Sequence, residues 1–324
     1  MAPTIKDVAK YAGVGLGTVS RVLNNGASVN PEKRKKVLEA VKALNFTPNR
    51  MASKLRKNET RNIALLVPVI NHPFFAEFAY FVEDEADKFG YSVILVSSQQ
   101  RVEKEADIIK RIRRREVDGA VFVTHFAHKE SELKDCPIVS IDRIFGDEIP
   151  YVTTDNYAAT EKAIEYLAAK GCKKIGYIGS KPLVRSEVSE RERAYTDEME
   201  KTGGEKRIVN EVIMHGGEQA VAEKFFDLYP DTDGVFVSGY TMAKSFLTAA
   251  RERGKKIPED IQLISYDGAF VQWNYSDVLT SVEQPIEKMA RKVIDMLVKK
   301  IHGEEVEKRV EFPTEFILGD TTLK

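Results

Sequence analysis

Apolar residues follow two different spacings along this chain of 324 residues. In the first 46 residues they recur three and four positions apart, as at Val8, Ala9 and Ala12, which is the spacing of one helix face. From residue 62 onward, short apolar runs such as residues 62–69 alternate with helical patterns such as residues 74–89. The pattern therefore predicts a small all-α head followed by a larger α/β body.

Three short helices are predicted in the head. Thr4, followed three residues later by Asp7, resembles a capping-box start for the first helix, and Gly13 ends that helix. A second helix is predicted over residues 16–23, and Asn30 with the proline after it begins a third. The predicted apolar stripe of the third helix is Val37, Leu38, Val41 and Leu44. A helix, a short turn and another helix are the arrangement that places the second helix in a major groove of DNA.

Strands and helices alternate through the body. Strands are predicted at residues 62–69, 91–96, 119–124, 138–141, 174–179, 234–237, 262–266 and 310–318. Helices are predicted at residues 74–89, 103–116, 157–170, 191–202, 218–228 and 241–253. Repeated strand–helix order predicts doubly wound parallel sheets with helices on both faces, and there are too many units for one sheet. We therefore expect two similar subdomains.

Charge divides the chain in the same place as the hydrophobic pattern does. Residues 1–60 contain 12 Lys and Arg but only 4 Asp and Glu, although the whole chain has a net charge of −1. A basic head suggests a polyanionic partner such as DNA, because neutralised phosphates release their counterions. A solubilising surface would explain the charge equally well.

The composition and the motifs of the chain argue against several classes of protein. No apolar run approaches the length of a membrane span, and the N-terminus has no apolar segment of a secretory signal, so we expect a cytoplasmic protein. Two cysteines, Cys136 and Cys172, are expected to be reduced. No catalytic motif is present, and His125 and His128 fall in a loop-like stretch without matching carboxylates. We expect no enzyme activity, no metal and no cofactor.

A glycine cluster offers one rival interpretation of the head. Gly13, Gly15 and Gly17 suggest the phosphate loop of a dinucleotide-binding fold. The last glycine of that motif is replaced by Thr18, and a helical pattern rather than a strand precedes it. This interpretation is therefore not favoured.

Two long motifs make the head more specific. The runs TIKDVAKYAGVGLGTVSRVLNN (residues 4–25) and VNPEKRKKVLEAVKALNFTPNRMASKL (residues 29–55) resemble the helix-turn-helix and hinge helix of the lac repressor (LacI/GalR) family. The resemblance implies a DNA-binding domain over residues 1–47, a hinge over 48–60, and an effector-binding and dimerisation domain over 61–324. It also implies that the body resembles periplasmic binding proteins, with the chain crossing between subdomains near residues 156–160, 284–287 and 313–316.

The resemblance implies a set of DNA-binding residues. They are Thr4, Leu16, Gly17, Thr18, Ser20, Arg21, Asn24, Asn49, Arg50, Ala52, Ser53 and Leu55. Leu16 and Gly17 occupy the positions that read base edges, where Leu16 offers only an apolar contact and Gly17 offers no side chain. Leu55 would wedge into the minor groove, and Ala52 would allow close approach. Helix packing for Leu16 and a solvated linker for the hinge remain the alternatives.

A second set of residues is predicted to bind a small-molecule effector. It comprises His72, Phe74, Phe75, His125, Asp142, Arg191, Tyr240, Asp267, Trp273 and Gln284. Arg191 and Asp267 match the family's ligand-binding arginine and aspartate, and such a pair suits sugar hydroxyls. A structural salt bridge between them is the alternative, as is core packing for Phe74 and Phe75. Tyr240 stands where the family usually carries aspartate, so the ligand is not transferred from a relative.

These observations predict a ligand-responsive transcriptional repressor. A homodimer would bind a palindromic operator, and a sugar or sugar phosphate would change its affinity for DNA. The alternatives are a purine-responsive repressor, a stand-alone solute-binding protein, a sugar-modifying enzyme and a DNA-binding protein that has lost its ligand response. A nucleoid-associated location follows from the first interpretation.

Overall fold

The computed structural model describes residues 3–23, 29–46, 59–99, 101–124, 126–213, 216–268 and 279–323. The chain divides into two compact units, residues 1–60 and 61–324, which we call the head and the body. Eight of the residues predicted to bind DNA or effector lie outside the described residues. They are Asn24, Asn49, Arg50, Ala52, Ser53, Leu55, His125 and Trp273.

The head contains the three predicted helices: α1 (Ile5–Ala12), α2 (Leu16–Leu23) and α3 (Pro31–Ala43). The backbone N–H of Thr4 donates to the Asp7 carboxylate at 2.8 Å, which satisfies a donor at the start of α1. Gly13 ends α1 with φ of 64°, a left-handed conformation that favours glycine. The side chain of Asn30 accepts from the backbone of Glu32 at 2.9 Å and caps α3.

The apolar stripe of α3 differs from the prediction at one position. Leu38 was expected in the core, but 52% of its surface is exposed, whereas Val37 and Ala40 are completely buried. Residues 37, 40, 41 and 44 share one helix face at three- and four-residue spacing, and residue 38 lies about 100° away from residue 37 around the axis. Ala40 therefore occupies a core position of α3, and Leu38 faces away from the core.

The first subdomain of the body contains a six-stranded sheet in the order β11-β5-β4-β3-β1-β2. Its strands are β1 (Asn62–Val67), β2 (Ser92–Ser97), β3 (Gly119–Phe122), β4 (Ile138–Ile141), β5 (Tyr151–Thr154) and β11 (Arg309–Phe312). Its helices are α4 (Pro73–Lys88), α5 (Val102–Arg113), α6 (Glu130–Leu133) and α11 (Ile286–Ile301). Side chains alternate across β1, so that Ile63 and Leu65 join the core beneath α4 and α11 while Ala64 and Leu66 join the core beneath α5.

The second subdomain repeats this plan with the order β12-β10-β9-β8-β6-β7. Its strands are β6 (Ile175–Ser180), β7 (Arg207–Glu211), β8 (Gly234–Val237), β9 (Gln262–Tyr266), β10 (Ser281–Glu283) and β12 (Glu315–Ile317). Its helices are α7 (Asn156–Ala169), α8 (Ser189–Thr202), α9 (Glu218–Leu228) and α10 (Tyr240–Glu252). The chain passes from one sheet to the other after β5, after β10 and after β11.

The C-terminal strand is a correction to the predicted architecture. Residues 310–318 were expected to form one strand, but they form β11 and β12, which belong to different sheets. Pro313 lies between them and has no backbone N–H to continue a ladder. β12 also pairs with β10 in the antiparallel direction, so the second sheet is parallel except at this edge.

Among the described residues, no helix combines the length and the apolar character that crossing a membrane requires.

Candidate functional site

A cavity of about 480 Å³ lies between the two subdomains of the body. Its walls include the residues that follow the carboxyl ends of β1, β4, β6, β8 and β9, the edge at which open α/β sheets bind ligands. Seven of the residues predicted to bind an effector line it: His72, Phe74, Phe75, Asp142, Arg191, Asp267 and Gln284. The two sheets therefore bring together side chains that are up to 212 residues apart in the chain.

Two aspartates occupy equivalent places in the two subdomains. Asp142 follows β4 and Asp267 follows β9, and each of these strands is third from the same end of its sheet. Both residues are buried and have left-handed backbone, with φ of 58° and 61°. Asp142 accepts a hydrogen bond of 2.7 Å from the Thr153 hydroxyl. The repeated fold thus directs one carboxylate from each subdomain to the cavity.

The Asp267 carboxyl has an unusual affinity for a proton. Burial, reinforced by the nearby Glu283 carboxylate, raises the pKa of Asp267 to about 7, although the positive charge of Arg191 opposes the shift. The amide nitrogen of Gln284 donates to both carboxyl oxygens of Asp267 at 3.1 Å. The Oε1 atom of Gln284 is buried and has no hydrogen-bond partner among the described residues.

Arg191 is buried in α8 and is fixed in position by several contacts. Its Nε donates to Asn156 Oδ1 at 2.6 Å, and its Nη1 donates to the backbone oxygen of Ser238 at 2.9 Å. Its guanidinium carbon lies over the Tyr266 ring, 3.3 Å from the centre of that ring. Neither of these hydrogen bonds goes to Asp267, and in the described part of the chain no ion pair within 4.0 Å joins Arg191 to Asp267, so a structural salt bridge between them finds no support.

One wall of the cavity is aromatic. The rings of His72 and Phe75 lie 5.0 Å apart, and Phe75 is half-buried. Phe74 is 5% exposed and stacks against Phe78 in the core of the first subdomain, so packing accounts for most of its surface. Burial lowers the pKa of His72 to about 4, which keeps its ring neutral near pH 7.

The predicted DNA-recognition helix of the head, α2, has both polar and apolar residues on its exposed surface. Leu16 is 46% exposed and is not part of the head's buried core, which makes packing a poor explanation for it. Gly17 and Arg21 are also exposed, and Arg21 Nε donates to the Gly17 backbone oxygen at 3.3 Å. A methyl group added at Gly17 would meet only Arg21, at an ordinary contact distance of 3.9 Å. Thr18 and Ser20 are half-buried beside these residues.

Comparison with known proteins covers both units. The family model described as "Bacterial regulatory proteins, lacI family" matches residues 4–49, and a model described as "Periplasmic binding protein-like domain" matches residues 164–322. The Ribose operon repressor of Halalkalibacterium halodurans is 35% identical over 326 residues, which cover 98% of this chain and 97% of the relative. The chain belongs to the lacI family of bacterial regulatory proteins. It is thus a DNA-binding transcriptional regulator.

Two solved structures share this fold. The transcriptional regulator CelR in complex with cellobiose is 28% identical, with a TM-score of 0.71, and the match covers 98% of this chain and 99% of that one. The lac repressor dimer bound to operator is 21% identical, with a TM-score of 0.86 and complete coverage of both chains. The second likeness is informative about architecture alone.

Tyr240 differs from the prediction for this lacI-family chain. It was expected to contact the effector, but it is absent from the cavity wall, which is formed there by Gly239, Thr241 and Met242. The half-buried Tyr240 side chain instead packs against the apolar cores of both subdomains. As the first residue of α10 it points about 100° away from Thr241, which explains why its neighbour lines the cavity and Tyr240 does not.

Sequence patterns missed Arg143, which also lines the cavity. It is buried directly after Asp142, and burial lowers the pKa of its guanidinium. Its Nε donates to the backbone oxygen of Thr124 at 2.6 Å, and its Nη1 donates to the Ser186 hydroxyl. A basic residue directly after a buried strand could have indicated Arg143, because charged side chains are rarely buried unless they have a partner.

His128 is a further correction, because it does have a carboxylate partner. Its Nε2 lies 2.6 Å from Oε2 of Glu105, a residue with no exposed surface, and the Thr124 hydroxyl donates to the same carboxylate at 2.5 Å. Glu105 lies on a predicted helix 23 residues away, so no local spacing reveals the pair. Within the described ranges, no three His, Cys, Asp or Glu side chains gather in a way that could hold a metal ion.

Proposed function

We propose that this chain is a repressor that binds a palindromic operator as a homodimer and whose operator affinity is changed by an uncharged sugar in the cavity. The observation that carries the proposal is the combination of a buried polar floor with an aromatic wall. Asp142, Arg191, Asp267 and Gln284 are each less than 10% exposed and line the same cavity as Phe75.

A sugar ring matches this combination of surfaces. Its hydroxyl groups are paired donors and acceptors around the edge, and its C–H groups form an apolar face that an aromatic ring can cover. Carboxylates accept from hydroxyls, a guanidinium donates to them, and the Gln284 Oε1 atom is a buried acceptor still to be satisfied. A ligand with several hydroxyl groups would satisfy these atoms together.

Charge favours a neutral sugar over a sugar phosphate. The described wall of the cavity carries the cations Arg143, Lys181 and Arg191 and the carboxyls Asp142, Glu218 and Asp267, so even when Asp267 holds a proton the excess of positive charge is only about one. Two donor nitrogens of Arg191 already bind protein oxygens. A phosphate dianion would need several cations at short range, whereas among the described residues of the wall Arg143 and Arg191 are buried and already bind protein oxygens, and Lys181 is exposed.

The names of the relatives point to carbohydrates as well. The relative from H. halodurans is named for a ribose operon, and CelR was solved with cellobiose. In the proposed homodimer, two-fold symmetry would present one head to each half-site of a palindromic operator. We further propose that the protein releases its ligand chemically unchanged and needs no cofactor. We also propose that it acts in the cytoplasm, on the DNA of the nucleoid.

The test combines operator selection with ligand binding. Full-length protein is incubated with a pool of random palindromes, and the selected DNA is then titrated by fluorescence anisotropy with D-ribose, cellobiose, ribose 5-phosphate and adenosine. We expect a palindrome to be enriched and one neutral sugar to shift its affinity. A response to ribose 5-phosphate or adenosine alone would contradict the neutral-sugar assignment. Failure to select any palindrome would contradict the repressor assignment.

Turnover is checked with the same materials. The responding sugar is incubated with the protein for hours and analysed by chromatography. Recovery of the unchanged sugar is expected, whereas a new product would indicate an enzyme.

A further inference from the structure

One loop of the second subdomain is hydrogen-bonded to the first subdomain beside the cavity. This loop, residues 181–188, connects β6 to α8, and we call it the strap. Four of its residues line the cavity: Lys181, Pro182, Leu183 and Val188. The strap is therefore a wall of the proposed sugar site, and its position determines the shape of that site.

Backbone groups form the first part of the contact. The backbone N–H of Ile144 donates to the Arg185 oxygen at 3.1 Å, and the N–H of Glu187 donates to the Asp142 oxygen at 3.0 Å. Arg143 and Ser186 are consequently paired as an isolated antiparallel bridge. The chain thus gains a short two-stranded contact across the cleft, next to the carboxylate of Asp142.

The side chain of Glu187 forms the second part. Its Oε1 accepts from the Tyr151 hydroxyl at 2.7 Å and from Arg309 Nε at 3.0 Å. Tyr151 on β5 and Arg309 on β11 are directly opposite each other in the first sheet. One carboxylate oxygen of the second subdomain therefore joins two neighbouring strands of the first. The Glu187 side chain is only 13% exposed, so water screens these bonds less than it would at an open surface.

We propose that Glu187 is a positioning residue that holds the strap on the first subdomain and thereby preorganises the sugar site. The identity of the ligand rests on the proposed function, whereas the contact between the strap and the first subdomain does not. The covalent chain joins the subdomains at the ends of β5, β10 and β11, and the strap adds a contact made of hydrogen bonds.

Preorganisation gives the strap a measurable effect on ligand affinity. A wall that is already ordered does not lose conformational freedom when the ligand binds, so affinity falls when the wall is released. The hydrogen bonds to Glu187 involve a charged acceptor, which makes them stronger than neutral ones. Because Glu187 is absent from the cavity wall, its removal acts on the ligand through the strap alone.

The experiment compares Glu187→Ala, Glu187→Gln and Tyr151→Phe in the full-length protein. Hydrogen exchange followed by mass spectrometry reports on the strap and on residues 142–144, and calorimetry with D-ribose and cellobiose reports on the site. We expect Glu187→Ala to speed exchange in both segments and to weaken binding of the sugar that responds by about fivefold. Glu187→Gln retains an acceptor oxygen and should recover part of the loss, and Tyr151→Phe should cause a smaller one.

The matched control is Glu190→Ala, three residues further along at the start of α8. Glu190 pairs with Arg193 of its own helix and does not line the cavity, so this variant should change neither exchange in the strap nor sugar affinity. Unchanged exchange in the strap and in residues 142–144 of Glu187→Ala would overturn the inference. If no sugar binds the parent protein, the proposed function fails, and the exchange measurement still decides whether Glu187 holds the strap.

Discussion

Asp267 is the residue whose ionisation is most affected by its place in the fold. Its carboxyl is buried beside Glu283, and the raised pKa of about 7 means that the folded protein holds a proton that the unfolded chain, with an ordinary pKa of 3.8, has released. Protonation of Asp267 therefore stabilises the fold, and this stabilisation is complete at pH values below the pKa of the carboxyl in the unfolded chain. It is lost as the pH rises toward and through 7.

Asp267→Asn should therefore gain stability relative to the parent protein as the pH rises from 5 to 8, because the variant has no carboxyl to ionise. Thermal unfolding at several pH values measures the difference. Asp107→Asn, at an exposed position on α5, is the control and should show no such trend. The Asp267 variant should also bind sugar more weakly. Parallel pH curves for the parent and the Asp267 variant would show that the burial of this carboxyl has no thermodynamic consequence.

Leu16 and Leu38 provide a matched pair of exposed leucines in the head, at 46% and 52% exposure. Leu16→Ala should weaken binding to the selected operator by about fivefold through loss of an apolar contact to a base, while changing stability by less than about 0.5 kcal/mol. Leu38→Ala should leave operator affinity unchanged. Anisotropy titrations and thermal melts measure both variants. Equal effects of the two substitutions on DNA binding would argue against α2 as the DNA-recognition helix.

Helix termini illustrate what local sequence contributes at the scale of elements. Asn30 caps α3 through bonds to the backbone N–H groups of Glu32 and Lys33, with Pro31 at the first helical position. These signals are read directly from neighbouring residues, which is why the bounds of α2 and the start of α3 agree with the prediction. The bounds of α9, β8 and β9 agree for a similar reason, since each pattern is bounded by turn residues.

Asn30→Ala should destabilise the head by about 1 kcal/mol, because two backbone donors of α3 lose their acceptor. Asn30→Asp retains an oxygen in the same place and should be close to the parent protein. Circular dichroism of the full-length chain during heating measures the head's transition. If the alanine variant matches the aspartate variant, the cap is not a source of stability.

Elements with weak local signals were missed. β5, β7 and β10 are only three to five residues long, and β7 and β10 carry polar residues such as Asn210 and Glu283 within the run. α11 was missed for a different reason, because its apolar stripe, with Met289, Val293 and Leu297 four residues apart, is a clear helical signal that the prediction did not use. Short strands are stabilised by their neighbours in the sheet, so their own residues carry little of the information.

Charge separation is a property of the whole molecule. The head has a large excess of Lys and Arg, the body is acidic, and the described wall of the cavity has three cationic and three carboxylic side chains. Operator affinity should therefore fall at least about tenfold between 50 and 200 mM salt, because phosphate contacts release counterions. Sugar affinity should change by less than about twofold over the same range, because a neutral ligand releases none. Anisotropy and calorimetry on the same preparation measure both, and a strong salt dependence of sugar binding would contradict the neutral-ligand assignment.

The sequence by itself determined the division into a basic helical head and a repeated α/β body, and it placed candidates such as His72 and Asp142 after strands, whereas Arg191 and Asp267 were indicated by the resemblance to the lacI family. Periodicity, capping and the placement of polar residues after strands are local properties, so neighbouring residues are enough to reveal them. Only the tertiary structure decided that Leu38 and Tyr240 point away from their predicted surroundings. It also joined Glu105 to His128 across 23 residues, and Glu187 to Tyr151 and Arg309 across 36 and 122 residues. Contacts over such separations depend on how sheets and loops are arranged in space, and no local pattern specifies that arrangement.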